Sequence, residues 1–400
     1  MRHLAHLRLA AASLALASVA CTPATSTPGP MGGPTTLLTR LGADTVAIEQ
    51  YTRTPTTMDG VIVVRSPSTA VVRYNVQLGA NNAPTGADWS VRRADGSPLP
   101  TATIPSASLR FGPDSVRIVG HRASGDTSRA IAVRGEQLPY IGSSYGLFEL
   151  AIAKLRATGR DSGEFAFVPF AIGATAANMM PIRLYGSDSV RVNRFGSWLV
   201  IRHDGRGNLT GASGAGTTLK VRVDRVANVD VDAIARAWMA RDLAAGAMGA
   251  TSTRDTVRAT IGANTHLWVD YGRPSLRGRD VWVNGVLGDT IWRTGANAAT
   301  QFRTDTDVTI GNATVPAGTY TLWTRTTPVG YDLIINKQAG QWGTEYHADR
   351  DLARVPLQVR TAPASAERFT IALRPSDQGG AAMLSFTWGT KELSIPVMAK

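Results

Sequence analysis

The sequence predicts a mainly β protein built from two units in series. The first is an N-terminal antiparallel meander or half-barrel with an internal helix; the second is a C-terminal β-sandwich of jelly-roll type. Three observations carry this. Short segments in which Val, Ile and aromatic residues alternate with Arg, Asp, Ser and Thr recur along the chain, the mark of sheet with one buried face. Turn-forming Gly, Asp, Asn and Pro separate these segments at fairly even spacing. Only two stretches switch to helical periodicity.

The chain opens with a basic run from Met1 to Arg8, followed by "LAAASLALASVA" at residues 9–20, which is too short to span a bilayer. It ends in "SVAC", which resembles the lipobox of bacterial lipoproteins, with Ser18 where that motif usually has Leu. The resemblance implies lipidation at Cys21 and residues 1–20 as a removed leader; a plain secretory signal is the alternative. Cys21 is the only cysteine, so the mature chain can form neither an internal disulfide nor a thiolate zinc site. "TPATSTPGPMGGPTT" then reads as a flexible tether over residues 21–36. Thr22 gives no reason for inner-membrane retention, so the expected location is the outer membrane, with the lipid anchor as the membrane partner.

Net charge is +12, and the excess is nearly all arginine, since lysine occurs only at 154, 220, 337, 391 and 400. The arginines alternate along strands, as in "VRVDRV", and form no dense basic run, so nucleic acid is not an expected partner.

From 37 to 249 the strand segments run from "DTVAIEQYTR" to "TLKVRVDRV", with Asp204-Gly205 a two-residue hairpin signal after "SWLVIRH". "YGLFELAIAKLRA" (145–157) carries Leu147, Leu150, Ala151 and Leu155 at helical spacing. "DVDAIARAWMARDLAAGAMG" (230–249) places Val231, Ile234 and Trp238 on one stripe, with Asp230 and Asp232 near its positive end, and reads as the joint between units. A long meander with an internal helix is similar in pattern to the half-barrel of periplasmic lipoprotein carriers and related lipid-binding lipoproteins.

From 250 to 400 the composition shifts, and six of the nine tryptophans lie here: Trp268, Trp282, Trp292, Trp323, Trp342 and Trp388. The number and spacing of short strands argue for the sandwich. "VDYGRPSLRGRDVW", "IWRTGANAAT", "VPAGTYTLWT", "LIINKQAGQWGTEY" and "LSFTWGTKELSIPV" resemble, in order, domain of unknown function 2911 (DUF2911), a family of bacterial exported proteins with no established activity. The family commonly has Glu where this chain has Ala298, so a role for that carboxylate is absent.

These motifs gather Tyr271, Arg273, Arg277, Arg279, Trp292, Arg293, Thr294, Asn297 and Thr300, with Tyr346 added to them. Their charged members are donors only, which suits gripping an anion, or a sugar stacked on an indole, better than cleaving a bond. Two readings stay open: a ligand site, or a clamp in which Arg273 and Arg293 bind carbonyls and Asp270 to pin two loops together. A site predicts an exposed face on Trp292 or Tyr271; a clamp predicts burial.

Other motifs carry less. "GSSYG" (142–146) matches the nucleophile elbow of α/β-hydrolases at Ser144, but antiparallel surroundings favour Ser143 or Ser144 as a helix cap. "GASGAG" (211–216) is followed by a strand and lacks the helix N-terminus that would bind phosphate. His121, His203, His266 and His347 show no metal-ligand spacing, and no motif implies a cofactor. The expected function is a binding or scaffold module of the cell envelope with an anionic-ligand or glycan site, and no catalytic residue is assigned. The alternative is an envelope hydrolase of carbohydrate or ester substrates, for which Asp270 and Asp280 are the only carboxylate pair near the cluster.

Overall fold

The structure is a computed structural model and describes residues 33–194, 197–217, 219–282, 291–377 and 379–400. The leader, Cys21 and the tether up to residue 32 lie outside the described residues, as does the second half of the "DVWVNG" segment; Thr35 and Thr36, which the sequence reading gave to the tether, are buried strand residues. The chain is mainly β, with two large sheets and two α-helices among the described residues. No helix among them is long and apolar enough to cross a membrane.

The first sheet is formed by β1 (Thr35–Leu41), β2 (Asp44–Arg53), β3 (Thr57–Val64), β4 (Ala70–Leu78), β5 (Pro84–Arg92), β6 (Ser106–Phe111), β7 (Ser115–His121) and β8 (Thr127–Ala132). It continues with β9 (Glu136–Tyr140), then helix α1 (Phe148–Ala157), β10 (Ser162–Pro169), β11 (Asn178–Tyr185), β12 (Ser189–Arg194), β13 (Ser197–His203), β14 (Leu209–Ser213) and β15 (Val221–Val226). In space the order runs β8 down to β1, then β15 down to β9. The ladders are antiparallel except β9–β10, which is parallel because α1 forms the crossover between them. One apolar core draws on nearly every strand and on Phe148, Leu150, Ile152 and Leu155 of α1.

Helix α2 (Val231–Ala245) is started by Asp230, whose carboxylate accepts the Ala233 N–H. Val231 and Ala235 pack on the outer face of the first sheet against Ile48, Val63 and Val71. Strand β2 is therefore covered on both sides: Ile48 faces the helix, while Ala47 and Tyr51 face the core. Asp242 near the end of α2 accepts the Thr69 N–H at 2.7 Å.

The second sheet contains β16 (Ser252–Ile261), β17 (Thr265–Pro274), β18 (Ile291–Trp292), β19 (Thr300–Thr304), β20 (Val308–Ile310), β21 (Ala313–Val315), β22 (Gly318–Thr327), β23 (Gly330–Asn336), β24 (Asp351–Pro375) and β25 (Ala381–Ala399). Its order is β16-β17-β19-β22-β23-β24-β25-β20-β21, with β18 on β22.

Several boundaries differ from the sequence reading. The helix expected from residue 145 begins at Phe148, because Tyr145 and Gly146 give their N–H groups to a buried carboxylate instead. Asp204-Gly205 is part of a longer loop to Asn208, with the Asp204 carboxylate accepting the Arg206 and Asn208 N–H groups at 2.9 Å each. "VPLQVRT" and "RFTIALR" fall within the single irregular strand β24.

The two sheets abut through Gly42 and Ala43, which follow β1. Ala43 N–H donates to the Arg277 carbonyl at 2.8 Å, and a Cβ on Gly42 would overlap that oxygen. Gly42 is also left-handed at φ 63°, so glycine answers both demands. The Arg277 guanidinium bonds Asp44, and Arg279 donates to the Leu219 carbonyl at 2.8 Å.

Candidate functional site

The loop after β18 owes its shape to two glycines. Gly272 on β17 and Gly295 face each other so closely that a Cβ on Gly272 would strike the Ala296 backbone, and one on Gly295 would meet the Gly272 carbonyl oxygen. The chain here adopts three left-handed residues that are not glycine: Arg277, Thr294 and Asn297, at φ 52°, 48° and 65°. For a β-branched threonine this is a strained conformation, and the surroundings hold it. Thr294 Oγ1 pairs with Thr324 Oγ1 at 2.7 Å, and Thr300 Oγ1 donates to the Thr294 carbonyl at 2.7 Å. Thr294 and Thr300 are fully buried beneath the loop.

Trp292 is buried too, stacked on Trp388 with centroids 5.6 Å apart and set edge-on to Phe369 at 5.0 Å. Its indole N–H donates to the Gly295 carbonyl at 2.9 Å, which closes the loop on itself. Tyr271 lies in the core, donating to the Ile371 carbonyl and accepting the Ile371 N–H. Neither ring presents the broad open face that stacking on a sugar needs, and both are buried as a clamp requires; the exposed indole that lines the cleft is that of Trp342, 51% exposed.

The arginines divide. Arg273 pairs with Asp255 at 2.9 Å and reaches the Phe369 carbonyl and Thr370 on β24. The expected partner Asp270 instead pairs with Arg254 at 2.9 Å, since Arg254 and Asp270 lie on adjoining strands of the same sheet. Arg277 turns to Asp44 of the first sheet. Tyr346 stands apart from the cluster, edge-on to Trp323 and donating to Asp351 at 2.6 Å; burial and that carboxylate push its phenol up to about 12. Asp280 accepts the Trp282 N–H at 2.9 Å.

Arg279, Trp292, Arg293 and Asn297 do come together, on the wall of a cleft of about 250 Å³ between the two sheets. Arg194, Leu219 and Val221 of the first sheet form the opposing wall, and Trp342 and Trp388 complete it. No Asp or Glu is among its described lining residues. Arg293 donates to the Gly343 carbonyl at 2.9 Å, and a side chain on Gly343 would displace it. Arg279 donates to the Leu276, Ser275 and Leu219 carbonyls. Burial lowers the Arg293 pKa; burial and then the adjacent Arg277 lower that of Arg279 to about 10, so it is still cationic at neutral pH. Lys220 is also lowered, by burial and then by repulsion from Arg279. Glu367 offsets part of the shift on Arg279 and Asp280 part of that on Lys220; burial is the first cause at Arg279 and Arg293, and an anion entering the cleft would stabilise these partly desolvated cations. Trp388 adds a buried indole N–H with no acceptor among the described residues.

Two clusters escaped the sequence reading. In the first core, Glu49 of β2 and Glu149 of α1 are buried, at 1% and 2% exposure. Glu49 Oε1 accepts Ser144 Oγ–H at 2.5 Å and Tyr74 Oη–H at 2.8 Å; Oε2 accepts the Tyr145 and Gly146 N–H groups at 2.7 and 3.0 Å. Glu149 accepts Tyr51 Oη–H at 2.5 Å and the Leu209 N–H at 2.7 Å. Burial holds both glutamates above the ordinary range despite these donors. Ser144 thus sits in a closed network that ties the 142–146 loop to β2. Glu49 falls in phase with Ala47 and Tyr51 on the core side of "DTVAIEQYTR", and that phase was the available signal.

The second cluster is a chain of contacts on the outer sheet face: Ser108 Oγ to His121 Nε2 at 2.9 Å, and His121 Nδ1 to Asp126 at 2.9 Å. The order of groups is that of a serine nucleophile, its base and an orienting acid. Ser108, however, lies mid-strand with ladder partners Asp88 and Val119 on either side, so the flanking backbone amides are engaged in the sheet. Among the described residues no pair of free N–H groups is placed beside Ser108 to hold an oxyanion, and the contacts cross-link β6 and β7. Among the described residues, no group of three or more His, Cys, Asp or Glu is placed to hold a metal ion.

Residues 252–397 match the family model described as protein of unknown function (DUF2911). No curated protein matches the chain. Among solved structures, a DUF1089 family protein from Pseudomonas aeruginosa is 13% identical over 42% of this chain and 90% of its own, with a TM-score of 0.32. The AttH candidate of Nitrosomonas europaea is 9% identical over 91% of this chain and 90% of its own, with a TM-score of 0.10. Neither likeness carries an argument about fold or function.

Proposed function

We propose that this chain is an exported, lipid-anchored binding protein of the bacterial cell envelope that grips an anionic ligand between its two β units. The observation that carries the reading is the cleft itself: Arg194, Arg279 and Arg293 converge on it, and no carboxylate is among its described lining residues. On this reading the first sheet is a half-barrel wrapped on α1, the second is a jelly-roll-like sandwich, and α2 joins them. Guanidinium groups give phosphate or carboxylate charge-assisted bonds, and the strained loop at Thr294 and Asn297 holds the cleft's shape ready. Isothermal titration of the full chain with ethyl phosphate at low ionic strength tests this. One saturable site is expected, weakened at least tenfold by Arg293→Ala and by raised salt.

The anchor has its own test. With "SVAC" followed by a tether, a diacylated Cys21 supplies the two chains that stable membrane attachment needs. Cys21→Ser is expected to move the chain into the soluble fraction; unchanged membrane association would overturn the anchor.

A further inference from the structure

The cleft does not end at its arginines. Leu41, Arg194, Leu219, Val221 and Thr251 line it and also line a second lobe of about 250 Å³, so the two adjoin. The second lobe runs into the first sheet between Val46, Ala47 and Val64 on one side and the 142–145 loop with Tyr145 on the other. No Asp or Glu is among its described lining residues either. Its character is different: apart from Arg194 at the junction, its side chains are aliphatic, aromatic or small hydroxyls. At the junction and the rim, Leu219 and Trp342 are 48% and 51% exposed, large apolar surface left facing a cavity when packing could have covered it.

We propose that the ligand is a single-chain anionic amphiphile, its phosphate or carboxylate head held near Arg279 and Arg293 and its alkyl chain laid past Leu219 into the lobe beside Val64. This rests on the anion reading above and adds the chain. The polarity gradient supports it. One end gathers cations, Asn297 and the Trp388 indole N–H, which suit an anionic head; the other offers no charge along most of its wall. A small anion alone would leave the apolar lobe and the Leu219 and Trp342 surfaces unused. A neutral lipid would give the guanidinium groups of Arg194, Arg279 and Arg293 on this wall no charge-assisted bond. The 142–146 loop that walls the lobe is fixed by Ser144 and by the Tyr145 and Gly146 N–H groups bonded to Glu49, so the lobe is preformed.

A chain-length series tests it without altering the protein. Ethyl, butyl, hexyl, octyl and decyl phosphate, each below its micelle concentration, are titrated into the full-length protein alongside decanol and decyl maltoside. Each buried methylene is expected to tighten binding about fourfold until the lobe is full. The neutral amphiphiles should bind at least tenfold more weakly than decyl phosphate. Val46→Ser, at a half-buried position that lines the second lobe and not the arginine cleft, should flatten the series while leaving ethyl phosphate unchanged. If ethyl and decyl phosphate bind equally, the amphiphile is overturned and the anion site stands. If no alkyl phosphate binds, both fall. If decanol and decyl phosphate bind equally, the chain is recognised and the anionic head is overturned.

Discussion

Glu49→Leu is expected to lower the stability of the first β unit by about 3–5 kcal/mol, read as an earlier urea midpoint. The mechanism is specific. Leucine fills the space but leaves the Ser144 and Tyr74 hydroxyls and the Tyr145 and Gly146 N–H groups without their acceptor in a dry core. Glu49→Gln should be far milder: its amide oxygen can take the two N–H groups while its NH₂ donates to the two hydroxyls. The pair also fixes a pH dependence. Glu49 and Glu149 titrate above the glutamates of the unfolded chain, so the native state keeps protons that the unfolded state has already lost. Stability is then fully present below the usual glutamate pKa of ~4.3 and falls as pH climbs through the raised native values. Glu49→Gln should flatten part of that fall; a wild-type stability that rises over the same range would contradict the assignment.

Trp292→Ala is expected to cost about 3–5 kcal/mol in the second β unit, the range for deleting a buried indole. It removes the stack on Trp388 and the edge contact to Phe369, and it frees the Gly295 carbonyl that closes the loop. Anionic binding should go with it, because Arg293 and Asn297 belong to that loop. Trp342→Ala, at an exposed indole on the same cleft, should leave thermal stability nearly unchanged. Equal melting temperatures for Trp292→Ala and wild type would show that the loop does not depend on the indole.

Much of this was written in the sequence at the level of periodicity. Alternation in "AVVRYNVQL" or "GTYTLWTR" reports a strand because side chains of one strand alternate between two faces, and β4 and β22 lie where that pattern puts them, although β22 is buried on both faces from Tyr320 to Thr324. The C-terminal motifs were legible as a family resemblance, and the family model covers the same third of the chain. Pairings between distant segments were not legible. Nothing local in "YGRPSLRGR" says that Arg273 meets Asp255, that Arg277 crosses to Asp44, or that Arg279 lies against Leu219. These partners are chosen by how the sheets abut, which is a property of the whole fold. The cleft was hidden for the same reason, since its opposing wall draws on β1, β12, β13, β15 and the segment before β15. Glu49 illustrates a different gap: alternation showed which face it occupies, yet a charged residue there only makes sense once Ser144, Tyr74 and the 145–146 amides are seen around it.

Whether the cleft between the sheets takes an anion is decided by the ethyl phosphate titration, followed across ionic strength and repeated with Arg293→Ala. One site is expected in the wild type, with a steady loss of affinity as salt is added and at least tenfold weaker binding in a variant that still melts cooperatively. No saturable binding at low salt, or affinity indifferent both to salt and to the loss of Arg293, would contradict an anion site.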